Sequence, residues 1–445
     1  MPVLSLRLQN LGPFDDIRFA FDERINVFVG PNNSGKTTVL SALGDILIYP
    51  FHLPRKFLRD KSRFELKYSA GHAPASALDG ELPVGEQGLA RQERLFKAVG
   101  YSYYVPALRM GTDFRSKGPG YPPRKQRPEF LKREHLFKNE ESLLTDREIV
   151  QSLIELDYRA YREKKPGIRD IIGRIARIAS EITEGFPIEF RGIGEDSEGL
   201  FPQFETPDGI MPLGALSQGT QSLIQWLAYF VVGYSQYYDY AGSLDDKPGV
   251  LIIDEVDAHL HPSWQRRILP TLTKHFPRLT IFCSTHSPLM LAGLRAGQVH
   301  LLRRNTQGKV TASRNTRDLI GWSADEVLRR LLDVPTPTDL RTEDDLRKLR
   351  ELRRKESLSA GEQRQLDQLR YNVSQELLGS LADAEGNKVS AWLELSEKKP
   401  SRAKPTPRTI KSVRPARAAL NRRTSSAQRK PPGARRKVTR PRGKR

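Results

Sequence analysis

Cysteine is almost absent. Cys283 is the only one in 445 residues, which excludes a disulfide framework and suits a reducing cytoplasm. Long apolar runs are missing too. The longest, Leu223 to Tyr234, is about half the ~20 residues needed to cross a bilayer and contains Gln225, so no membrane span is expected. The opening MPVLSLRLQN has no basic segment followed by an apolar one, and no secretory signal is expected from it. Acidic residues disappear from Pro400 to Arg445, where 17 Lys and Arg stand unopposed. Of the total charge of +20, only +3 therefore belongs to Met1–Lys399, with 56 basic against 53 acidic residues. The basic character is that of a tail, not of a domain.

What is present suffices for a globular body. Hydrophobic residues make up 38%, and the 33 glycines bring the sum near the usual ~45–50%. The length leaves room for roughly two or three domains at ~150 residues each. Leu4, Leu6 and Leu8 alternate with polar residues as in a half-buried strand, and Ile17 to Phe21 reads likewise after the Gly12-Pro13 turn. Ile25 to Val29 is a short buried strand leading into a turn, and Thr37 to Leu47 has helical spacing. From Pro50 to Pro128 no periodicity survives the Gly, Pro and Arg interruptions.

Thr145–Lys164 and Ile168–Ile182 carry apolar residues at three- and four-residue intervals around Pro166-Gly167. Two such helices predict a hairpin about 25–30 Å long. Strand-like pieces follow at Pro187–Arg191 and Leu200–Glu205, then a turn at Pro207-Asp208-Gly209 and a helix from Ser217 to Tyr234. Gly249–Ile253 and Leu279–Cys283 read as buried strands, with a helix from Ser263 between them. Strands alternating with helices predict an α/β domain with a largely parallel sheet. Beyond Gly321 the pattern turns to charged helices, one of them opened by the capping-box spacing Ser359-Ala360-Gly361-Glu362. Past Lys399, Pro, Arg, Lys, Ser and Ala dominate, a composition that predicts disorder.

The run Gly30-Pro31-Asn32-Asn33-Ser34-Gly35-Lys36-Thr37 fits G-x-x-x-x-G-K-[ST] and lies between a buried strand and a helix, the setting of a P-loop. Its backbone N–H groups and the helix start suit a phosphate, and the contact run extends to Thr38. Lys36 suits the β- and γ-oxygens, and the Thr37 hydroxyl suits Mg²⁺. Val250 to Ile253 then ends in Asp254-Glu255. Alone this is an ordinary strand end. With a P-loop upstream, Asp254 becomes a metal ligand through water and Glu255 the group that polarises the attacking water.

Leu216-Ser217-Gln218-Gly219 opens a long helix, and Ser284-Thr285-His286-Ser287 follows the next apolar strand. P-loop strand, LS-x-G helix start, Asp-Glu strand and post-strand histidine, in that order, resemble the ABC-type ATPase head, within the branch of Rad50, SMC, RecF and the overcoming-lysogenization-defect (OLD) ATPases. Asp254-Glu255-Val-Asp-Ala-His259-Leu-His261-Pro262, Thr285-His286-Ser287-Pro288 and Gly321-Trp322-Ser323-Ala324-Asp325 are similar to the OLD-like group, which includes ATPases of bacterial anti-phage systems such as Septu and several retrons. The resemblance covers about Met1 to Pro337.

It implies an ATPase that uses ATP and Mg²⁺ and sandwiches ATP between two protomers. Ser217 and Gly219 would then meet the γ-phosphate held by the other chain's Lys36, and His286 would sense that phosphate and hold Glu255 and the water in register. Gln218 replaces a signature glycine, and His261 replaces the usual D-loop aspartate. His259 and His261, two residues apart without further ligands, read as structural rather than metal-binding. Gln87 and Gln92 fit a Q-loop on spacing alone, and Arg109 reads as a surface residue.

The acids after Gly321 lie in helical stretches such as Glu343-Asp344-Asp345, unlike the strand-end acids of a Toprim nuclease, so no built-in nuclease is expected. The resulting division is an ATPase head at 1–322 with a helical insertion at about 140–185, a helical extension at 323–398, and the basic tail at 399–445. A cytoplasmic homodimer or higher oligomer is expected, working beside a separately encoded nuclease or retron partner in anti-phage defence. Two alternatives stay open: a RecF/Rad50-like DNA repair ATPase, and a nucleotide-gated scaffold with little turnover. The tail either binds nucleic acid with a steep salt dependence or is merely solvated; having no aromatic residue, it has nothing to stack on bases.

Overall fold

The computed structural model describes residues 3–48, 53–69, 75–84, 95–107, 146–163, 166–197, 199–238, 244–334, 339–355 and 357–381. Gln87, Gln92, Arg109 and the basic tail lie outside these. The chain divides into two compact units, Met1–Asp339 and Leu340–Arg445.

The first unit is mixed α/β. Its centre is a six-stranded sheet built from β3 (Ile25–Val29), β6 (Tyr101–Val105), β10 (Gly249–Ile253), β11 (Leu279–Ser284), β12 (Val299–Arg304) and β13 (Val310–Arg314), in the order β13-β12-β3-β11-β10-β6. Every pairing is parallel except that of the edge strand β13. Successive side chains on these strands point into different cores. Val27, Val29, Leu251, Ile253, Ile281 and Cys283 join one cluster, while Phe28, Val250, Ile252 and Phe282 join the other. Burial on both faces is why these strands are continuously apolar in sequence.

Helix Lys36–Leu47 fills the second core together with an antiparallel sheet. That sheet is built from β1 (Val3–Leu11), β2 (Phe14–Ala20), β4 (Leu58–Tyr68) and β5 (Ser76–Glu81), in the order β2-β1-β4-β5. Leu6 and Leu8 face inward as their alternation predicts. β4 and β5 arise in the stretch that showed no periodicity. Phe64, Leu66 and Tyr68 are buried while Arg63 and Lys67 between and beside them are exposed, a half-buried strand hidden by its charges.

On the opposite face lie helices Asp146–Glu163, Pro166–Ile182, Gln218–Tyr237 and Pro262–His275. The predicted hairpin exists, and Pro166 opens its second helix, where a missing N–H costs nothing. That helix is not a projection. Ile171, Ile172, Ile175, Ile178 and Ile182 are all buried in the main core. A three-stranded meander of β7 (Glu189–Asp196), β8 (Gly199–Thr206) and β9 (Gly209–Pro212) follows, one strand more than the sequence suggested. Helix Ala324–Arg330 belongs to the first unit, with Val327 and Leu331 in its core. Ser323 and Glu326 close a capping box at its start.

The second unit contains helices Leu340–Arg354 and Ala360–Leu381. Leu352, Leu366 and Leu369 form its apolar cluster, with Leu349 and Leu358 packed against them. The predicted capping box forms: Ser359 N–H donates to Glu362 at 2.9 Å, and Glu362 N–H donates to Ser359 Oγ at 3.3 Å.

Candidate functional site

The parallel register brings the ends of β10, β11 and β3 to one edge, with Ile253 beside Cys283 and Ser284 beside Phe28. Three of the sequence-selected segments leave from that edge: the P-loop, Asp254-Glu255, and the stretch carrying His286. Open α/β sheets bind ligands at such edges.

The P-loop is shaped by left-handed turns at Asn33 (φ 61°) and Gly35 (φ 96°). Glycine at 35 is also required by crowding, because a Cβ there would stand 2.3 Å from the ring of Phe14, the first residue of β2. At Gly30 a Cβ would stand 2.3 Å from the Leu302 carbonyl oxygen near the end of β12. Lys36 is only 7% exposed and donates through Nζ to the carbonyls of Gly30 (3.0 Å) and Pro31 (3.2 Å). Burial pushes its ammonium pKa down, against the opposing pull of Asp254, Glu255 and Asp257. Thr37 is exposed, whereas Thr38 is buried beneath Gly12. Ser34 Oγ is fully buried with no hydrogen-bond partner among the described residues. Pro31, Asn32 and Asn33 are exposed.

Ser284 ties the two acids together. Its hydroxyl donates to Asp254 Oδ1 at 2.5 Å and accepts from the Glu255 N–H at 2.7 Å. The Asp254 N–H in turn donates to the Val105 carbonyl at 2.9 Å, which anchors the turn to β6. Asp254 is 2% exposed, while Glu255, in a left-handed conformation with φ 48°, turns its side chain out to solvent. His286 is exposed two residues beyond Ser284.

Ser217 caps helix Gln218–Tyr237, accepting from the Thr220 N–H at 3.3 Å. Its exposed side chain is held by its own helix, not by the P-loop. Gly219 is buried, and a Cβ on it would meet the His259 carbonyl at 2.4 Å. His261 caps helix Pro262–His275, accepting through Nδ1 from the Ser263 N–H at 3.3 Å. No group of three or more potential metal-ligating His, Cys, Asp or Glu side chains occurs among the described residues.

Sequence reading missed Ser284 as a separate residue, because a buried serine ending an apolar strand carries no periodic signal. It also missed Arg304. β12 and β13 went unread, so nothing placed an arginine there over the P-loop, where its Nη2 donates to the Asn33 carbonyl at 2.9 Å.

Two family models match the chain. "AAA domain, putative AbiEii toxin, Type IV TA system" matches residues 112–292, and "AAA domain" matches residues 5–81. The Septu protein PtuA of Bacillus thuringiensis is 23% identical over 75% of this chain and 84% of its own. The Septu protein PtuA of Bacillus mycoides is 35% identical, over 19% of this chain and 12% of its own. The "Retron Ec83 probable ATPase" of Escherichia coli is 32% identical over 27% of this chain and 21% of its own. The chain thus spans most of one of these relatives and a small part of the other two. Among solved structures, the SMC head domain from Thermotoga maritima is similar, with a TM-score of 0.38 and 14% identity over 71% of this chain and 99% of that one. No helix among the described residues is long and apolar enough to cross a membrane. The chain carries AAA-family ATPase domains and is a homologue of the Septu PtuA and retron ATPases.

Proposed function

We propose that the chain binds ATP with Mg²⁺ at the P-loop, hydrolyses it, and closes into a dimer around the nucleotide. The observation that carries this reading is the buried Lys36 ammonium, held by two loop carbonyls and drawn on electrostatically by Asp254, Glu255 and Asp257. A buried cation at the mouth of a strand–turn–helix cradle suits an anion. The orphaned Ser34 hydroxyl inside the cradle supports the same fit.

Lys36 would neutralise the β- and γ-oxygens, and the N–H groups of Asn32 to Thr37 would wrap the phosphates. Thr37 and Asp254 would hold Mg²⁺, which when bound supplies charge neutralisation of the transferred phosphoryl group. Glu255, exposed at the same edge, would accept a proton from the attacking water, and His286, exposed two residues beyond Ser284, would keep that water in line. Ser217, exposed at a helix start, and Gly219 two residues on would meet a second protomer's γ-phosphate.

The relatives suggest the setting: an ATPase whose opening and closing gates a separately encoded effector in anti-phage defence, with no nuclease of its own. The proposed layout is a head through about residue 339, since Val327 and Leu331 pack in its core rather than in an extension starting at 323, then a helical extension to 398 and the basic tail. The test is ATP turnover by wild type, Lys36→Ala and Glu255→Gln, with light scattering in saturating ATP. Turnover lost in both variants, with Glu255→Gln trapped as a dimer, supports the reading. A Glu255→Gln variant that stays monomeric in saturating ATP defeats the sandwich. Equal turnover in all three defeats the site.

A further inference from the structure

Arg304, the last residue of β12, reaches back over the P-loop. Its Nη2 donates to the Asn33 carbonyl at 2.9 Å, and its Nη1 donates to the Gly308 carbonyl at 2.7 Å. We propose that Arg304 is a positioning residue for nucleotide binding: by holding the Asn33 carbonyl it presets the left-handed turn that presents the loop's amides to phosphate. This rests on the nucleotide-binding reading above.

In a trans peptide the carbonyl of one residue and the N–H of the next point in opposite directions. Holding Asn33 O toward β12 therefore aims the Ser34 N–H the other way, into the loop. There it reaches Pro31 O at 3.3 Å, a long bond to the carbonyl that Lys36 Nζ also uses. A phosphate oxygen would compete well for that N–H. Asn33 tolerates φ 61°, but tolerance is not preference, and an unheld asparagine samples other wells.

Arg304 is itself well anchored. The turn it grips is closed by Asn305 and Lys309, through a 2.9 Å bond between the Asn305 N–H and the Lys309 carbonyl. Lys309 Nζ lies 3.3 Å from Asp15 on β2, which fastens the β12–β13 turn to the β1–β2 ribbon. That ribbon crowds Gly35 through Phe14. The P-loop is thus gripped at Asn33 from one side and at Gly35 from the other. A lysine at 304 would supply the charge without the two directed bonds.

The test compares wild type, Arg304→Ala and Arg304→Lys. In nucleotide-free protein, Arg304→Ala should speed amide hydrogen exchange across residues 32–36 while β10 and β11 keep wild-type protection. With ATP, Kd and KM should rise about fivefold, the worth of ~1 kcal/mol for one hydrogen bond, with kcat changed less than about twofold. Arg304→Lys should behave like Arg304→Ala. Wild-type exchange at 32–36 in Arg304→Ala overturns the proposal, as does full rescue of affinity by lysine, which would leave charge as the only contribution. Failure of wild type to bind ATP defeats the nucleotide reading instead, and the exchange comparison still judges whether Arg304 orders the loop.

Discussion

The carbonyl oxygen of His259 lies so near Gly219 that a Cβ at 219 would stand 2.4 Å from it. The helix start bearing Ser217 is thereby seated on the segment that follows Glu255. His259 takes a left-handed conformation, φ 64°, in making this approach. Two parts of the proposed site, remote in sequence, share one backbone contact.

Gly219→Ala should therefore act twice. Overpacking against a backbone atom costs ~1–3 kcal/mol, read as a lower melting temperature. The displaced helix start should also cut ATP turnover by about tenfold or more, since misplacement near 1 Å at a reacting site costs that or more. A steady-state ATPase assay beside a thermal melt checks both; unchanged turnover would mean that the contact has no part in hydrolysis.

Ser284 holds Asp254 by its side chain and Glu255 by its backbone. Ser284→Ala should lower kcat about 10- to 100-fold, as loss of a positioned hydrogen bond in an active site does. Nucleotide affinity should change little, because Lys36 and the loop amides are untouched. Single-turnover hydrolysis and equilibrium binding of ATP separate the two effects.

Asp45 predicts a pH dependence of stability. It is 4% exposed on helix Lys36–Leu47, and its Oδ2 accepts the Val84 N–H at 2.7 Å while Oδ1 has no partner among the described residues. Burial raises its pKa from 3.8 to about 7. Folding thus favours the protonated carboxyl. That contribution is whole below pH ~4 and is lost as pH rises through about 7. Wild type should lose stability between pH 5 and pH 8 relative to Asp45→Asn, by no more than about 3 kcal/mol. Urea unfolding of both proteins at the two pH values measures it, and parallel curves would refute it.

The basic tail predicts a salt signature. Removing Pro400–Arg445 takes away 17 positive charges and leaves a nearly neutral chain. Nucleic-acid affinity should fall, and the slope of log K against log salt should flatten by ~0.9 for each phosphate the tail no longer neutralises. ATP turnover should be unaffected. A titration over several salt concentrations decides it, and unchanged affinity and slope would make the tail a solvated appendage.

The legible parts of this molecule were those where one physical demand dominates the residue choice. A strand buried on both faces must be apolar throughout, so Val250–Ile253 and Leu279–Cys283 were visible. A capping box needs Ser and Glu three apart, so Ser359 and Glu362 announced a helix. β4 stayed hidden because about half its residues are charged and one of its two partners, β1, lies more than 40 positions upstream. β6 is five buried residues standing in an otherwise patternless stretch, and only its pairing with β10 gives it meaning. In the site, Lys36, Asp254 and Glu255 could be named because their chemistry fixes their spacing from a turn or a strand end. Ser284 and Arg304 act through tertiary approach, which leaves no trace along the chain.

The isoleucines of helix Pro166–Ile182 carry one last consequence. An arm whose apolar stripe is spent on its own body has no free length with which to span a gap. Shortening that arm would therefore disturb the core it fills rather than change a reach.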